Sequence, residues 1–296
     1  MEPRTITSAE ERPRWDYAPT GLANVEATRA DTVPDSRRDV YKRQLYIDAE
    51  KAVLRAEHLL DEGATIVDVG GESTRPGSEL VSEEEERRRV LPVIRDLKRR
   101  RPNAVISVDT YKASVARAAV ELGAEVVNDV SGFRWDPKMA KTLAELKIGA
   151  VLMHTRGRPE EWPALPPIGD PVLMVKRDLR QWAETATLAG VKRDHLVLDP
   201  GFGFGKRFEE NYPLLAHFAE LQQMGFPLLA GVSRKSFVGR MLASDGKDAE
   251  VAQRLYGTLA AETALILKGT HIIRTHDVRV ALEAAKVADA IVASGG

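Results

Sequence analysis

The sequence predicts a single-domain (β/α)8 TIM barrel from three observations. From residue 65 onward, seven short apolar runs alternate strictly with segments of helical periodicity. This alternation is typical of a parallel sheet, and a further strand near residues 21–25 makes eight, the number that closes a barrel. Polar residues also follow the seven apolar runs at the same end. The alternation alone leaves an open, doubly wound sheet as the alternative.

Composition limits the class of protein. The chain has 296 residues, 43% of them hydrophobic, and no linker-like stretch divides it, so we expect one large domain. A formal net charge of −1 indicates neither a nucleic-acid partner nor an anionic membrane. The sequence lacks cysteine, which excludes disulfides, thiolate catalysis and cysteine-bound metals. No apolar run approaches the roughly 20 residues of a membrane span and no signal-peptide core is present, so we expect a soluble cytoplasmic protein.

The front of the chain is the least regular part. Residues 1–44 are predicted to form an irregular segment with a possible first strand, and residues 45–296 to form the barrel proper. The charged stretch 37–44 fits neither a strand nor a helix face. The first predicted helix therefore begins near Asp48, which can cap it, and ends at Gly63.

Seven strands and their helices follow. The strands are predicted at 65–69, 105–108, 125–127, 150–153, 196–198, 227–232 and 271–273. Ser82 and Glu85 form a capping box at the first of the helices, and a glycine ends several of them. The helices are predicted at 82–100, 112–122, 136–147, 172–189, 209–224, 248–268 and 278–293.

The strand at 196–198 leads into a carboxylate and a glycine-rich loop. Asp199 and Pro200 end the apolar run, and the three alternating glycines after them allow a ligand to approach the backbone closely. Two nucleotide-binding interpretations fail here. The glycine spacing is not G-x-G-x-x-G, and Arg207 stands where a P-loop has Ser or Thr.

Polar residues collect at the carboxyl ends of the predicted strands, where barrel enzymes have their active sites. One such residue could simply cap the next helix, but capping does not easily explain the whole set. The members are Asp68, Asp109, Asn128, His154, Asp199, Ser233 and Arg274.

Their chemistry divides into two groups. The acceptors and amide of Asp109, Asn128 and Asp199 suit a flat heterocycle with an N–H-rich edge. Apolar walls for such a ring could come from Met153, Phe204 and Phe202. The cationic group suits a phosphate or diphosphate and consists of Arg75, Lys235, Arg274 and His276. Taken singly, His154 also reads as a buried structural histidine, and Lys206 and Arg207 read as a solvated face.

The chain resembles the dihydropteroate synthases, a pterin-binding TIM-barrel family. The matching motifs occur in order over about residues 46–290: GGESTRPG at 70–77, SVDT at 107–110, NDV at 128–130, LMH at 152–154, LDPGFGFGK at 198–206, SRKS at 233–236 and RTHDV at 274–278. This resemblance implies a transferase of folate biosynthesis. Such enzymes condense 6-hydroxymethyl-7,8-dihydropterin diphosphate with p-aminobenzoate.

Residue roles follow from the same resemblance. It implies catalytic roles for Asp109, Asp199 and Lys235 and a metal-side role for Asn24, with Mg²⁺ as cofactor and a homodimer as assembly. The pterin site would comprise Asp109, Asn128, Met153, Asp199, Phe204 and Lys235. The diphosphate end would comprise Thr74, Arg274 and His276, and the p-aminobenzoate site Arg75, Pro76 and Ser236.

The first loop departs from the family pattern. The family places N-V-T-P-D-S-F-S-D-G-G after its first strand. Here Asn24-Val25 and Val33-Pro34-Asp35-Ser36 each match a part, Asp31 stands where the second match needs Asn, and F-S-D-G-G is absent. We therefore expect residues 24–44 to impair turnover while leaving the pterin pocket intact.

Three functions remain open at this point. The first is an active synthase, and the second is a pterin-binding paralogue that lacks synthase activity because its first loop is lost. The third is a methyl-transfer protein that uses methyltetrahydrofolate on the same barrel. The motifs at 233–236 and 274–277 argue against the third function, because a methyl carrier needs no diphosphate site.

Overall fold

The computed structural model describes residues 20–26, 38–74 and 78–295, with the backbone alone over 20–26 and 38–48. Eight parallel strands in these ranges form one sheet in the order β6-β5-β4-β3-β2-β1-β8-β7. They are β1 (Thr20–Glu26), β2 (Ile66–Gly70), β3 (Val105–Asp109), β4 (Val126–Asp129), β5 (Gly149–Met153), β6 (Leu196–Asp199), β7 (Leu229–Ala230) and β8 (Ile272–Thr275).

The two edges of this sheet meet. A parallel bridge joins Leu198 of β6 to Leu228, the residue before β7, and the Leu198 N–H donates to the Pro227 carbonyl at 2.9 Å. Closure abolishes the edge strands and excludes the open, doubly wound sheet. The predicted (β/α)8 barrel is therefore confirmed.

Helices surround the barrel in alternation with the strands. Within the described ranges they are α1 (Arg38–Asp61), α2 (Glu83–Arg100), α3 (Ala113–Glu121), α4 (Met139–Leu146), α5 (Pro171–Leu188), α6 (Asn211–Ala216), α7 (Ser236–Met241), α8 (Leu255–Leu267) and α9 (Val278–Ser294). As the sequence predicts, Ser82 caps α2, accepting from the Glu85 N–H. None of the helices that the structure describes combines the length and apolar character needed to cross a membrane.

The start of the first helix was predicted wrongly. Helix α1 begins at Arg38 instead of near Asp48, so residues 38–44 are helical. Charged residues such as Arg and Lys have good helix propensity, and neither glycine nor proline interrupts the stretch. Because residues 38–44 carry no apolar stripe, the hydrophobic periodicity of the sequence did not indicate this part of the helix. The division of the chain at residue 44 stays a prediction.

The predicted helices at 209–224 and 248–268 are also wrong in extent. Helix α6 ends at Ala216, His217 leaves the helical region, and 3₁₀ turns occupy 208–210 and 218–224. A 3₁₀ turn at 251–254 precedes α8, and the short helix α7 was not predicted. Strand β7 has only two residues of the predicted 227–232, and at its start Pro227 cannot donate a ladder hydrogen bond.

The interior of the barrel has an apolar floor. One buried cluster contains a single residue from each of six strands: Ile66, Val126, Val151, Val197, Leu229 and Ile272, with Val105 packed against it. A second, larger cluster fills the layer between strands and helices. Because side chains alternate along a strand, the residues two positions after the floor also point inward. The floor therefore supports the next layer at the carboxyl ends.

Candidate active site

The layer above the floor is polar. Asp68, Asn128, Met153, Asp199 and Arg274 each stand two residues after a floor residue of their own strand. Register pairs Asp109 with Asn128 across β3 and β4, which places Asp109 in the same layer. The structure thus brings these predicted residues to one end of the barrel.

Arg274 links two acids in this layer. Its Nε lies 2.9 Å from Asp68 Oδ2, and its Nη2 lies 3.0 Å from Asp109 Oδ2. Asn128 Nδ2 donates to the same Asp68 oxygen at 2.9 Å. Burial acts to lower the pKa of Arg274, but Asp68 and Asp109 outweigh this and raise it above its ordinary value. The guanidinium therefore stays charged at the centre of the layer.

Asp199 lies beside this network. It is 5% exposed, and its Oδ1 accepts from the Gly201 N–H at 2.7 Å. Burial raises the pKa of Asp199 above its usual range, although Lys235 acts to lower it. Burial likewise lowers the pKa of Lys235 to about 8. A carboxylate and an ammonium with opposite shifts thus interact electrostatically at the carboxyl ends of β6 and β7.

The glycine-rich loop supplies contacts to Lys235. The Lys235 ammonium donates to the Phe202 carbonyl and lies 4.6 Å from the centre of the Phe204 ring. The Phe202 ring is fully buried and packs at 6.4 Å from Phe218 and 6.2 Å from Phe237. The prediction of Phe202 as a wall of the cavity is therefore wrong. Phe204, by contrast, is half-buried beside Lys235.

The loops after β7 and β8 are tied together. His276 Nδ1 lies 2.9 Å from Ser233 Oγ, and the His276 N–H donates to the same hydroxyl at 3.2 Å. Next to this contact, Arg234 pairs with Asp277 through two nitrogens, and its Nε lies 2.8 Å from Asp277 Oδ2. Arg234 has a positive φ of 56°. The double pairing holds this bend, which places Lys235 next to the barrel mouth.

The remaining predicted residues lie at the rim. Thr74 is half-buried, and Ser236 is exposed at the start of α7. Asn24 is in register with Asp68 across β1 and β2. Arg75 and Pro76 lie outside the described residues, so their roles stay predictions.

His154 and Lys206 do not line the cavity. His154 follows the inward-facing Met153 by one residue, so it points outward towards α5, and it is fully buried. Lys206 is 7% exposed, which makes its interpretation as a solvated face wrong. Its Nζ lies 2.9 Å from His154 Nδ1.

Sequence reasoning missed a buried ion cluster under the loop after β2. The Lys112 ammonium contacts both Glu72 and Glu86, and Tyr111 Oη donates to Glu72 Oε1 at 3.1 Å. Burial raises the pKa of Glu86, and Lys112 opposes this rise. The cluster fixes the loop that leads to Thr74. The signal in the sequence was the position of Tyr111 and Lys112, two and three residues after the end of β3.

Comparison with known proteins identifies the family to which this chain is related. The sequence profile of the family described as "Pterin binding enzyme" matches residues 32–276. The dihydropteroate synthase of Bacillus subtilis (strain 168) is 40% identical over 282 residues, covering 94% of this chain and 93% of the relative. The solved structure of the Xanthomonas albilineans dihydropteroate synthase with 4-aminobenzoic acid aligns with a TM-score of 0.82 and 38% identity, covering 94% of both chains.

A second solved structure agrees with the first. The Xanthomonas albilineans dihydropteroate synthase in complex with 7,8-dihydropteroate has a TM-score of 0.79 and 35% identity, and 94% of each chain is covered. The family resemblance of the motifs is thereby confirmed over most of the chain. The barrel, its polar mouth and these relatives lead to one conclusion: this chain belongs to the pterin-binding enzyme family.

Proposed function

We propose that this protein is a dihydropteroate synthase. It condenses 6-hydroxymethyl-7,8-dihydropterin diphosphate with p-aminobenzoate and releases 7,8-dihydropteroate and diphosphate. The observation that carries the proposal is the convergence of Asp109, Asn128, Asp199, Lys235 and Arg274 at one barrel mouth. Solved relatives of this chain hold 4-aminobenzoic acid and 7,8-dihydropteroate.

The pterin is assigned to the acidic side of the mouth. Carboxylate and amide oxygens accept from the N–H edge of a pterin, and the Lys235 ammonium donates to its ring oxygen or nitrogen. Asp109, Asn128 and Asp199 supply these acceptors. Met153, 3% exposed, offers an apolar surface for the flat ring.

The diphosphate is assigned to Arg274, His276 and Thr74. A guanidinium carries five N–H donors, and in the described contacts Asp68 and Asp109 accept from Nε and Nη2. Further donors of Arg274 remain for an anion. Charged donors that are already fixed by other partners bind a leaving diphosphate without reorganisation.

The reaction replaces diphosphate at the methylene carbon. The C–O bond breaks with its electron pair leaving on diphosphate, and the resulting cation is delocalised into the pterin ring. Asp109 and Asp199 stabilise this cation electrostatically. The arylamine nitrogen then forms the C–N bond and loses a proton. Because an arylamine is already nucleophilic, its orientation by Arg75, Pro76 and Ser236 matters more than a strong base.

The residues present fit a role for Mg²⁺. Over residues 49–74 and 78–295, no three His, Asp or Glu side chains are grouped so that they hold a metal by themselves. In phosphate sites Mg²⁺ is commonly held by one or two carboxylates together with phosphate oxygens and water. Asp68 has a buried Oδ1 without a hydrogen-bond partner in the described chain, and Asn24 is in register with it. When bound there, Mg²⁺ would neutralise charge on the diphosphate.

Asp199→Asn tests the pterin assignment. The substitution keeps the shape but removes the charge that accepts from the pterin edge, so affinity for the pterin diphosphate should fall about tenfold or more. Calorimetry measures the affinity, and turnover with both substrates is followed in parallel. Glu283→Gln on exposed α9 serves as the matched control. Unchanged pterin affinity in Asp199→Asn would contradict the assignment.

The alternative is a pterin-binding protein with impaired synthase activity, and the altered first loop is the observation that favours it. Replacing residues 24–44 by the family loop should raise the rate with p-aminobenzoate about a hundredfold, because orientation contributes several kcal/mol to such reactions. Pterin affinity should scarcely change. Steady-state rates of both proteins measure the effect. Equal rates would show that the front segment is no defect.

We also propose a homodimer in the cytoplasm. α8 packs against α9, and these helices expose the apolar side chains of Tyr256 (82% exposed), Val287 (63%) and Ile291 (53%). Apolar side chains exposed on two packed helices are a feature of protein interfaces. A second copy of the chain would cover it, and sedimentation velocity distinguishes monomer from dimer. The cysteine-free sequence is compatible with a reducing compartment.

A further inference from the structure

A chain of three polar side chains, two of them buried and one partly buried, lies behind the barrel wall, outside the candidate active site. His154 Nε2 lies 3.3 Å from Asp178 Oδ2 on α5, and His154 Nδ1 lies 2.9 Å from Lys206 Nζ. The imidazole stacks on Trp182 with ring centres 5.1 Å apart and an angle of 10° between the planes. The stack fixes the ring, so both nitrogens are held on their partners.

The contacts determine the proton positions. An ammonium has donors only, so Lys206 requires an acceptor at His154 Nδ1. The ring must then be neutral and carry its proton on Nε2, which donates to Asp178. Burial and the neighbouring Lys206 lower the pKa of His154 to about 3, and Arg134 acts in the same direction. Partial burial acts to raise the pKa of Asp178, but the bond from His154 helps to hold it below its ordinary value.

Lys206 also closes the glycine-rich loop on itself. Its Nζ lies 2.8 Å from the Gly201 carbonyl oxygen and 3.3 Å from the Phe204 carbonyl oxygen. With His154 Nδ1, these are the three nearest acceptors for the three protons of an ammonium, and the His154 carbonyl oxygen lies farther away at 3.5 Å. Lys206 thus holds both ends of the loop through one group.

The charged surroundings of Lys206 are mixed. Burial lowers the pKa of Lys206 to about 7, Asp199 and Glu210 act to raise it, and Lys235 and Arg156 act to lower it. Only the protonated form satisfies all three acceptors. The three contacts therefore favour the ammonium against the cost of its burial.

The glycine-rich loop passes so close to the end of β5 that only glycine fits at two of its positions. Gly201 has φ of +64°, and a Cβ there would lie 1.9 Å from the His154 carbonyl oxygen. At Gly205, also at +64°, a Cβ would lie 2.6 Å from Arg156 Cβ. Glycine permits the contact but does not stabilise it. The bonds from Lys206 stabilise it, together with the Gly203 N–H that donates to Asn211 Oδ1 at 2.6 Å and Arg156 Nη1 that donates to the Gly205 carbonyl at 3.1 Å.

The same loop touches the candidate site three times. The Gly201 N–H donates to Asp199 Oδ1 at 2.7 Å, the Phe202 carbonyl accepts from Lys235, and the Phe204 ring lies beside the Lys235 ammonium. A shift of the loop would displace all of these contacts together. We propose that Asp178, His154 and Lys206 form a positioning relay that fixes the glycine-rich loop, and through it the pterin-facing Asp199 and Lys235. This inference rests on the proposed function, since it concerns the pterin site.

Lys206→Met tests the centre of the relay. The substitution keeps the length of the side chain but removes all three donors, so affinity for 6-hydroxymethyl-7,8-dihydropterin should fall about tenfold or more. The KM for p-aminobenzoate should stay unchanged. Lys176→Met is the matched control, because Lys176 lies on α5 and bonds only to Glu220 and Gln223 in the described contacts. Calorimetry on the full chain showing equal affinity in wild type and Lys206→Met would overturn the relay.

A pair of substitutions at Asp178 tests its outer end, and both should fold because this side chain is 19% exposed on α5. Asp178→Asn keeps an acceptor for His154 Nε2, and its pterin affinity should stay within about twofold of wild type. Asp178→Leu removes the acceptor at similar volume and should weaken the affinity about threefold to tenfold. Equal affinities in the two variants, whether high or low, would overturn the proposed hydrogen bond.

Ring-nitrogen NMR separates the relay from the proposed function. With ¹⁵N-labelled histidine, the signal absent from His154→Asn should show a neutral ring protonated on Nε2 from about pH 5 to pH 7, where Lys206 keeps its proton. A ring protonated on Nδ1, or one that titrates near its ordinary pKa, would overturn the relay. This measurement needs no substrate. If wild type fails to bind pterin while the tautomer is as expected, the proposed function fails and the relay geometry stands.

Discussion

Arg274→Ala is expected to weaken binding of the pterin diphosphate about tenfold to a hundredfold, because a charged hydrogen-bond partner of the anion is lost. Binding of the same pterin without its diphosphate should change far less. Calorimetry with the two ligands measures the difference. Equal losses for both ligands would reassign Arg274 to a purely structural ion pair with Asp68 and Asp109.

The same substitution should also destabilise the fold. Asp68 is fully buried, and its Oδ2 accepts from Arg274 and Asn128. Removing Arg274 leaves the buried Asp68 carboxylate without its cationic partner, and breaking a buried pair in this way costs about 3–5 kcal/mol of the free energy of unfolding. Urea denaturation measures this loss. The double variant Arg274→Ala, Asp68→Asn is the control, since it should regain stability without regaining affinity for the diphosphate.

Glu262→Gln is expected to change how stability depends on pH. Glu262 lies on α8, is 1% exposed, and neither carboxylate oxygen has a hydrogen-bond partner among the described residues. Burial raises the pKa of Glu262 from 4.5 to about 8, although the nearby Thr275 hydroxyl acts to lower it. The folded state therefore holds a proton that the unfolded state releases, and stability must fall as the pH rises through this window.

The expected size of the effect follows from the shift. Between about pH 4.5 and pH 8, Glu262 should remove roughly 3–5 kcal/mol from the free energy of unfolding, and the glutamine variant should lack this loss. Urea denaturation of both proteins at several pH values measures the difference. Glu283→Gln, at an exposed site on α9, is the matched control. A difference between Glu262→Gln and wild type that does not vary with pH would contradict the buried protonated carboxyl.

Much of the fold was accessible to sequence reasoning because a barrel repeats one unit. Each strand is short, apolar and bounded by residues that end a ladder, so all eight strands were found. Helix ends were harder to place. The first turns of α1 are charged and carry no apolar stripe, and the helix predicted at 209–224 breaks at His217, where no glycine or proline marks the end.

The residues of the candidate site were likewise predictable only in part. Asp109, Asn128, Asp199 and Arg274 follow apolar runs directly, so their sequence positions indicate their place. His154 also follows such a run, but it comes one residue after the inward-facing position and therefore points away from the cavity. Its partners lie in α5 and beyond β6, and no local pattern joins them. Asp178 and Glu262 were missed because a single acid in a helix is ordinarily solvent-exposed.

The apolar floor of the barrel determines where substrates enter and where products leave. Ile66, Val126, Val151, Val197, Leu229 and Ile272 are each at most 5% exposed, so they seal the amino-terminal end of the barrel. Among the described residues, the polar mouth at the carboxyl ends of the strands is then the route by which both substrates enter and both products leave. A molecule spanning this opening would block arrival and departure alike, so an inhibitor lodged there would compete with both substrates at once.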